Sequence, residues 1–112
     1  MARAYYRLDA RQVVPCSEAE WERIYKNLNP PLARAIIGKV QVSTVFLGVS
    51  LGHGNGPPKC FETMVFEWPL IKEQTRWSTY AEALAGHAEI VDRVKSMTFA
   101  YTEKRVHDES AA

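Results

Sequence analysis

The sequence predicts an α+β domain in which an antiparallel sheet of three to five strands is built around a central hairpin and two helices pack on it. Residues 40–49 and 60–68 are both rich in β-branched and aromatic side chains, and the glycines and prolines between them are typical of a hairpin loop. Residues 17–20 and 79–82 read Ser-Glu-Ala-Glu and Thr-Tyr-Ala-Glu, and each capping box precedes an amphipathic stretch. These patterns predict one helix before the hairpin and one after it.

Length and composition indicate a single globular unit. The chain has 112 residues, of which 46% are hydrophobic and 24% charged, and such a chain builds one core without a metal or a disulfide. We therefore expect residues 1–97 to form one domain and residues 98–112 to be a C-terminal extension.

Charge and cysteine content narrow the classes of partner. Fourteen basic and 13 acidic side chains leave a formal net charge of +1, so no overall field favours nucleic acid or a membrane. Cys16 and Cys60 match no metal-binding spacing, and we expect no metal or other cofactor. No apolar run approaches the ~18 residues of a membrane span, and the N-terminus lacks a signal-peptide core. We therefore expect a cytoplasmic protein.

The first strand and the first helix follow one another. Residues 3–8 alternate between two faces, which predicts a short strand. Ser17 then caps a helix that the prolines at 30–31 end. The apolar side chains of this helix recur at helical spacing: Trp21, Ile24, Tyr25 and Leu28. We expect Trp21 to be a core residue.

The next segments form the sheet. Residues 32–37 fit a strand joined to residues 40–49 by a type II′ turn with Gly38 at its first central position, although a helical turn fits 33–35 equally well. The strand at 40–49 is apolar on both faces towards its end, so we expect it to be central and covered on both sides. Glu62 and Glu67 point to opposite faces of the returning strand, and Arg76 or Arg93 is a suitable partner for a half-buried glutamate.

The last third is predicted to be a polar connection followed by a helix. Residues 72–76 are polar and read as a connection to the helix that Thr79 caps. The predicted stripe of this helix is Tyr80, Leu84, His87, Val91 and Val94, widened by Ala83, Ile90 and Met97. Leu84 is therefore expected in the core. Gly86 costs roughly 1 kcal/mol inside a helix, and a close approach to the sheet is the expected compensation. Residues 98–101 fit either more helix or an edge strand, and residues 104–112 read as a polar tail.

The loop at residues 51–59 is the predicted contact surface for a partner. Its glycines let it bend and its prolines stiffen its exit, so binding costs less conformational entropy than in an all-glycine loop. The residues assigned to this contact are His53, Asn55, Pro57 and Pro58. A phosphate cradle is not favoured, because the loop leads into Pro57-Pro58 and a strand instead of a helix N-terminus.

A thiol site is the competing interpretation of the same region. His53 and Cys60 stand at the two ends of the loop with Glu62 two residues further on, a set that offers a nucleophile and a base. The alternative is that Cys60 is a buried structural residue on the face it shares with Met64 and Phe66, and we favour this one.

Two other groups are weighed against ordinary structural roles. His87 lies on the helix stripe with no second histidine at metal-binding spacing, so a core histidine hydrogen-bonded to a backbone carbonyl is expected. The arginines at 3, 7, 11 and 34 together with Tyr5 and Tyr6 offer a basic aromatic patch for single-stranded nucleic acid. The near-neutral charge favours a solvated surface, and we expect no nucleic-acid partner.

An ordered run of motifs resembles a family of small uncharacterised proteins encoded by bacteriophages and prophages. The resemblance covers about residues 6–94. The residues that carry it are 42–48 (Val-Ser-Thr-Val-Phe-Leu-Gly), 56–58 (Gly-Pro-Pro), 61–66 (Phe-Glu-Thr-Met-Val-Phe), 76–79 (Arg-Trp-Ser-Thr), Glu82-Ala83 and Gly86-His87. The family has no assigned activity, so the resemblance implies an origin and a location in the cytoplasm of the host cell, and no chemistry.

These observations favour binding over catalysis. The expected function is that of a phage accessory protein that binds a macromolecule, such as a host protein or a defence component. The alternative is a small thiol-dependent enzyme, or a small-molecule binder, that uses the glycine-rich loop and Cys60. An exposed edge strand is also compatible with a symmetric homodimer.

Overall fold

The computed structural model describes residues 3–26, 30–50, 56–67 and 70–111, with side chains described through Met97. Within these ranges there are seven strands: β1 (Ala4–Asp9), β2 (Gln12–Cys16), β3 (Ala33–Ile37), β4 (Val40–Phe46), β5 (Val49–Ser50), β6 (Phe61–Glu67) and β7 (Leu70–Trp77). Helix α1 spans Glu18–Tyr25 and helix α2 spans Tyr80–Ala111. The predicted α+β class is confirmed, and the strands divide into two antiparallel sheets.

The larger sheet contains the predicted central hairpin. Its strand order is β3-β4-β6-β7, and β4 pairs with β6 from Val40↔Glu67 to Phe46↔Phe61. Strand β3 joins β4 through the predicted two-residue turn, in which Gly38 has a φ of +61° as the first position of a type II′ turn requires. Residues 72–76, predicted to be a connection, belong to β7 instead. The error arose because an edge strand exposes one face and can therefore be polar.

The smaller sheet has the strand order β2-β1-β5. Its strand β5 follows β4 in the chain after only two residues. Gly48 has a φ of +68°, which bends the chain out of one sheet and into β5 of the other. The N–H of Tyr6 donates to the Gly48 carbonyl at 2.8 Å, so this bend is held by β1. Strand β2 was not predicted, since Pro15 within it weakens the strand pattern.

Helix α2 covers one face of the larger sheet. Its Ile90 and Val94 pack on Val42 and Val65 in one cluster, and Ala83 packs with Phe46, Cys60 and Phe61 in a second cluster. Part-buried residues of the smaller sheet join the second cluster: Tyr6, Leu8 and Val13. The second cluster therefore unites the two sheets into one body.

Helix α1 packs against β1. The Ser17 hydroxyl accepts a hydrogen bond from the Glu20 N–H at 3.1 Å, which confirms the predicted cap. Trp21 is half-buried; its ring lies 5.4 Å from that of Tyr5, and its indole N–H donates to the Leu47 carbonyl at 2.9 Å. Trp21 thus joins α1 to the smaller sheet without lying in the fully buried core.

Several burial predictions are wrong, including the placement of Ile24 and Met97 on buried helix stripes, because these side chains are 37% and 65% exposed. Leu84 is 37% exposed, because the buried side of α2 runs through Ala83, His87 and Ile90 and leaves Leu84 at its margin. The face of β4 opposite α2 is only half-buried, so β4 is not covered on both sides. Cys60 is buried with Phe61 and not on the face of Met64, because the alternation begins only where β6 begins, at Phe61.

Helix α2 begins at its predicted cap and continues past the predicted domain boundary. The Thr79 N–H donates to the Glu82 carboxylate and the Glu82 N–H donates to the Thr79 hydroxyl, both at 3.1 Å, which completes the capping box. The backbone is helical through residues 98–101 and on to Ala111. In the described part of the chain, no helix is long and apolar enough to cross a membrane.

Candidate functional site

A groove lies between the first hairpin, the prolines that precede β6 and the start of α2. Its volume is about 540 Å³. We call it the Pro57 groove, and its lining residues are Tyr6, Arg11, Gln12, Val13, Pro15, Pro57, Pro58, Ser78, Thr79 and Tyr80. Five of these residues are tyrosine or proline, so much of the lining is flat and apolar.

The first wall of the groove is the β1–β2 hairpin. Its strands are joined by Ala10 and Arg11, and Ala10 adopts a φ of +57° in the tight turn. Pro15 lies opposite Tyr6 in the pairing of β1 with β2. The Tyr6 N–H points to the other side of β1, where it donates to the Gly48 carbonyl, so this is a pair of residues that exchange no hydrogen bonds. Pro15 can therefore occupy β2 although it has no N–H to donate. This geometry keeps both rings on the wall of the groove.

The second wall is the start of α2. The Tyr80 ring packs edge-on against Phe61 in the core at 6.2 Å between centroids, and the capping box fixes the backbone around it. The Arg11 guanidinium lies 5.4 Å from the centroid of the Tyr80 ring, a cation–π distance. Among the described residues that line the groove, Arg11 is the only one with a charged side chain, and its charge is positive.

The third wall is Pro57 and Pro58, which the sequence assigned to partner binding. Pro57 is exposed and Pro58 is half-buried. His53 and Asn55, assigned to the same contact, lie outside the described residues, so their role remains a prediction. The structure therefore brings the two assigned prolines together with groove residues that the sequence did not single out for binding.

The thiol constellation rests on three residues with different environments. Cys60 has no exposed surface, and burial raises the pKa of its thiol to about 11, with the Arg76 charge opposing the rise in part. Glu62 accepts a hydrogen bond from Arg76 at 3.0 Å on the face of the larger sheet opposite α2. This contact confirms the predicted glutamate–arginine pair. His53 lies outside the described residues, so the catalytic assignment of His53, Cys60 and Glu62 remains untested.

We predict that Cys60 reacts slowly with thiol reagents. Its thiol stays protonated below pH 11 and the thiolate is the reactive form. In a Cys16→Ser protein, where Cys60 is the only thiol, modification by a maleimide at neutral pH should therefore be limited by unfolding. The same protein in denaturing urea is the control and should react at the rate of a free cysteine. Equal rates in native and denatured protein would contradict the structural role of Cys60.

A buried polar chain connects α2 to the sheet. The Trp77 indole N–H, which can only donate, donates to the Thr63 hydroxyl at 2.9 Å. Thr63 lies 2.6 Å from the Thr44 hydroxyl, which lies 2.7 Å from Nδ1 of His87. If each hydroxyl donates towards His87, each of the three hydrogen bonds that join these four side chains has one donor and one acceptor. His87 then accepts at Nδ1 and is neutral. It is buried and hydrogen-bonded as predicted, but the partner of Nδ1 is a threonine hydroxyl and not the expected backbone carbonyl.

The pKa of His87 predicts how stability depends on pH. Burial lowers this pKa below its ordinary value of 6.5, so the unfolded chain takes up the proton first as the pH falls. The free energy of unfolding should therefore be level above about pH 7 and decrease below pH 6.5, by at most ~1.4 kcal/mol per pH unit for this one proton. Urea denaturation at a series of pH values measures it.

The control for this pH dependence is His87→Gln, which removes the titrating ring and keeps an acceptor for Thr44. The other two histidines are present in both proteins, so the difference between the two curves reports His87. Identical slopes between pH 5 and 6.5 would show that His87 does not titrate with unfolding.

The basic aromatic residues of the N-terminal segment do not form one patch. Tyr5 contacts Trp21 and Arg7 lies 3.7 Å from Glu20, both on the α1 side of the smaller sheet. Tyr6 and Arg11 lie in the Pro57 groove on the other side. Among the described residues, no three His, Cys, Asp or Glu side chains are grouped so that they could hold a metal ion.

The sequence missed the groove as a whole, because its walls come from residues 6–15, 57–58 and 78–80. No local pattern signals that segments so far apart in the chain will meet. The comparisons with protein-family models, with curated proteins and with solved structures found no match.

Proposed function

We propose that this protein acts by binding another protein, and that the Pro57 groove receives an extended segment of that partner. The observation that carries the proposal is the position of Pro57 and Pro58, which line a groove with Tyr6 and Tyr80. Grooves lined by aromatic rings accept extended polypeptide, and tyrosine and arginine are enriched where proteins meet. The resemblance to phage proteins makes a protein of the bacterial host the proposed partner.

The charge of the groove defines the chemistry of the bound segment. Arg11 is the only charged residue in the described lining, and its guanidinium lies over the Tyr80 ring, an arrangement in which the N–H groups at the edge of the guanidinium can bind a carboxylate. The rings and prolines around it suit an apolar side chain. We therefore propose a segment in which an acidic residue neighbours an apolar one or a proline.

Binding is favoured over thiol chemistry by the state of Cys60. A thiol with a pKa of about 11 and no exposed surface supplies no nucleophile at neutral pH. The groove offers a contact surface that is lined by Pro57 and Pro58 and does not include Cys60. Thiol chemistry depends on Cys60, whereas binding depends on the groove residues. Variants of the groove therefore distinguish between the two functions.

The Arg11→Glu variant tests the groove. Immobilised wild-type protein should capture a partner from bacterial lysate, identified by mass spectrometry, and purified partner should bind Arg11→Glu at least ~10-fold more weakly because a charge-assisted contact worth ~1.5–3 kcal/mol is lost. Lys95→Glu is the matched control, since it makes the same change of charge at an exposed position on α2. Equal affinities of the two variants would place the interface elsewhere.

The loop residues outside the described ranges are tested separately. His53→Ala combined with Asn55→Ala should weaken capture if the loop contributes to the interface beside the groove. Unchanged folding and unchanged capture would make the loop a connector. Loss of capture in Arg11→Glu alone would then restrict the interface to the groove.

A further inference from the structure

The face of the larger sheet opposite α2, here called the outer face, carries a row of four residues, of which those on β3, β6 and β7 are apolar and the one on β4 is Gln41. Ile36 pairs with Gln41, Gln41 with Phe66, and Phe66 with Ile71. Ile36 is 66% exposed and Ile71 is 58% exposed, while Phe66 is half-buried. Three large apolar side chains therefore lie in one line on an open sheet surface.

The other rows of the outer face become polar towards the opposite end of the sheet. The next row is Arg34, Ser43, Met64 and Gln74. The row after it contains Val45 and the Glu62–Arg76 ion pair. The outer face thus has a mainly apolar end near the Gly38 turn and a charged end near the start of β6, and exposed large apolar side chains grouped at one end of a sheet are typical of interaction sites.

We propose that the outer face binds a second copy of this chain, sheet on sheet, about a two-fold axis parallel to the strands. Such an axis keeps each row opposite the same row and places β3 of one copy over β7 of the other. Ile36 then meets Ile71 of the second copy, and Phe66 meets Gln41. The face is therefore complementary to itself along this row.

The charges select this axis over the alternative one. With the two-fold axis parallel to the strands, Arg34 lies over the neutral Gln74 of the second copy. With the axis perpendicular to the strands, β3 would lie over β3, so Arg34 would meet Arg34 and Phe66 would meet Glu62. Glu62 faces an apolar side chain with either axis, Val45 with the parallel one and Phe66 with the perpendicular one. The contact between two Arg34 side chains therefore decides between the axes, because like charges opposite one another are destabilising.

Size and edges are compatible with this arrangement. Four strands of five to eight residues cover roughly 20 by 20 Å, an area below that of a standard specific interface, so we expect a weak dimer with a dissociation constant of about 1–100 μM. Lys72 has no partner in the register of β7 and is exposed at the sheet edge, so its long side chain can reach solvent. Helix α2 is on the other face and does not obstruct the contact.

Sedimentation equilibrium of the purified chain tests whether the outer face self-associates. We expect a monomer–dimer equilibrium that depends on concentration, and at least a tenfold higher dissociation constant in Ile71→Lys. Ile24→Lys is the matched control on α1, where Ile24 is 37% exposed, and it should associate like the wild type. A wild type that stays monomeric at millimolar concentration, or equal behaviour of the two variants, would overturn the proposal.

Crosslinking tests the axis. In a Cys16→Ser background, the Ile36→Cys and Ile71→Cys proteins are mixed and treated with a short bismaleimide. We expect the mixture to give a covalent dimer in higher yield than either protein alone, because position 36 faces position 71 of the second copy. A dimer that crosslinks best between two copies of Ile36→Cys would overturn the proposed axis. Neither test uses the Pro57 groove, so its outcome does not depend on the proposed partner.

Discussion

Replacing Gly48 with alanine is expected to destabilise the fold by ~3–5 kcal/mol, a large part of the 5–15 kcal/mol that stabilises a typical domain. Gly48 has a φ of +68°, which costs an alanine roughly 1–2 kcal/mol. A Cβ there would also lie 2.6 Å from the Tyr6 carbonyl oxygen and 2.8 Å from the Trp21 indole nitrogen. The Tyr6 oxygen is backbone and cannot move without disturbing the contact between β1 and β5, so the overlap adds a few kcal/mol.

Gly38→Ala is the control that isolates the overlap. Gly38 has a similar φ of +61°, but a Cβ there would meet nothing within 4 Å. Thermal or urea denaturation should therefore show a loss of only ~1–2 kcal/mol for Gly38→Ala. If both variants lost the same stability, the crowding around Gly48 would not contribute.

Replacing Gly86 with alanine is the second large expected effect. At an ordinary helix position this change stabilises by roughly 1 kcal/mol, but a Cβ at Gly86 would overlap the six-membered ring of Trp77. The Trp77 ring is held by its 2.9 Å hydrogen bond to Thr63, so α2 must shift away from the sheet. His87 follows directly and would lose its contact with Thr44. We expect a net loss of ~2–4 kcal/mol in urea denaturation.

A double-mutant cycle with Trp77→Phe checks the cause. The smaller ring removes the atoms that the new Cβ would meet, so Gly86→Ala should cost much less in the Trp77→Phe background than in the wild type. Ala85→Gly, at an exposed position of the same helix, reports the ordinary cost of glycine. Additive losses would place the strain somewhere other than the Trp77 contact.

The predicted elements that rest on neighbouring residues agree with the structure. Both capping boxes are local, because the bonds join residues three apart, and both helices begin where the caps predict. The Gly38 turn and the β4–β6 hairpin follow from turn chemistry and alternation. The close approach of Gly86 was inferred because a glycine inside a helix needs a reason, and Trp77 supplies it.

The candidate site was predicted only in part. Pro57 and Pro58 stood out because two prolines after a glycine-rich loop are a local signal. Arg11 and Tyr80 were assigned to a surface patch and to a helix stripe, because nothing near either residue in the chain indicates that they stack on one another. Their contact depends on how the smaller sheet packs against the start of α2.

The amino-acid sequence by itself determined where the helices begin, which strands form the central hairpin and that Gly38 occupies a tight turn. Tertiary structure decided that the chain changes sheets at Gly48, that the polar β7 pairs with β6, and that α2 presents Ala83 to the core and leaves Leu84 half outside it. The physical reason is the range of the interactions. Caps and turns are satisfied within a few residues, whereas the rotation of a helix and the pairing of an edge strand are set by contacts with segments distant in the chain.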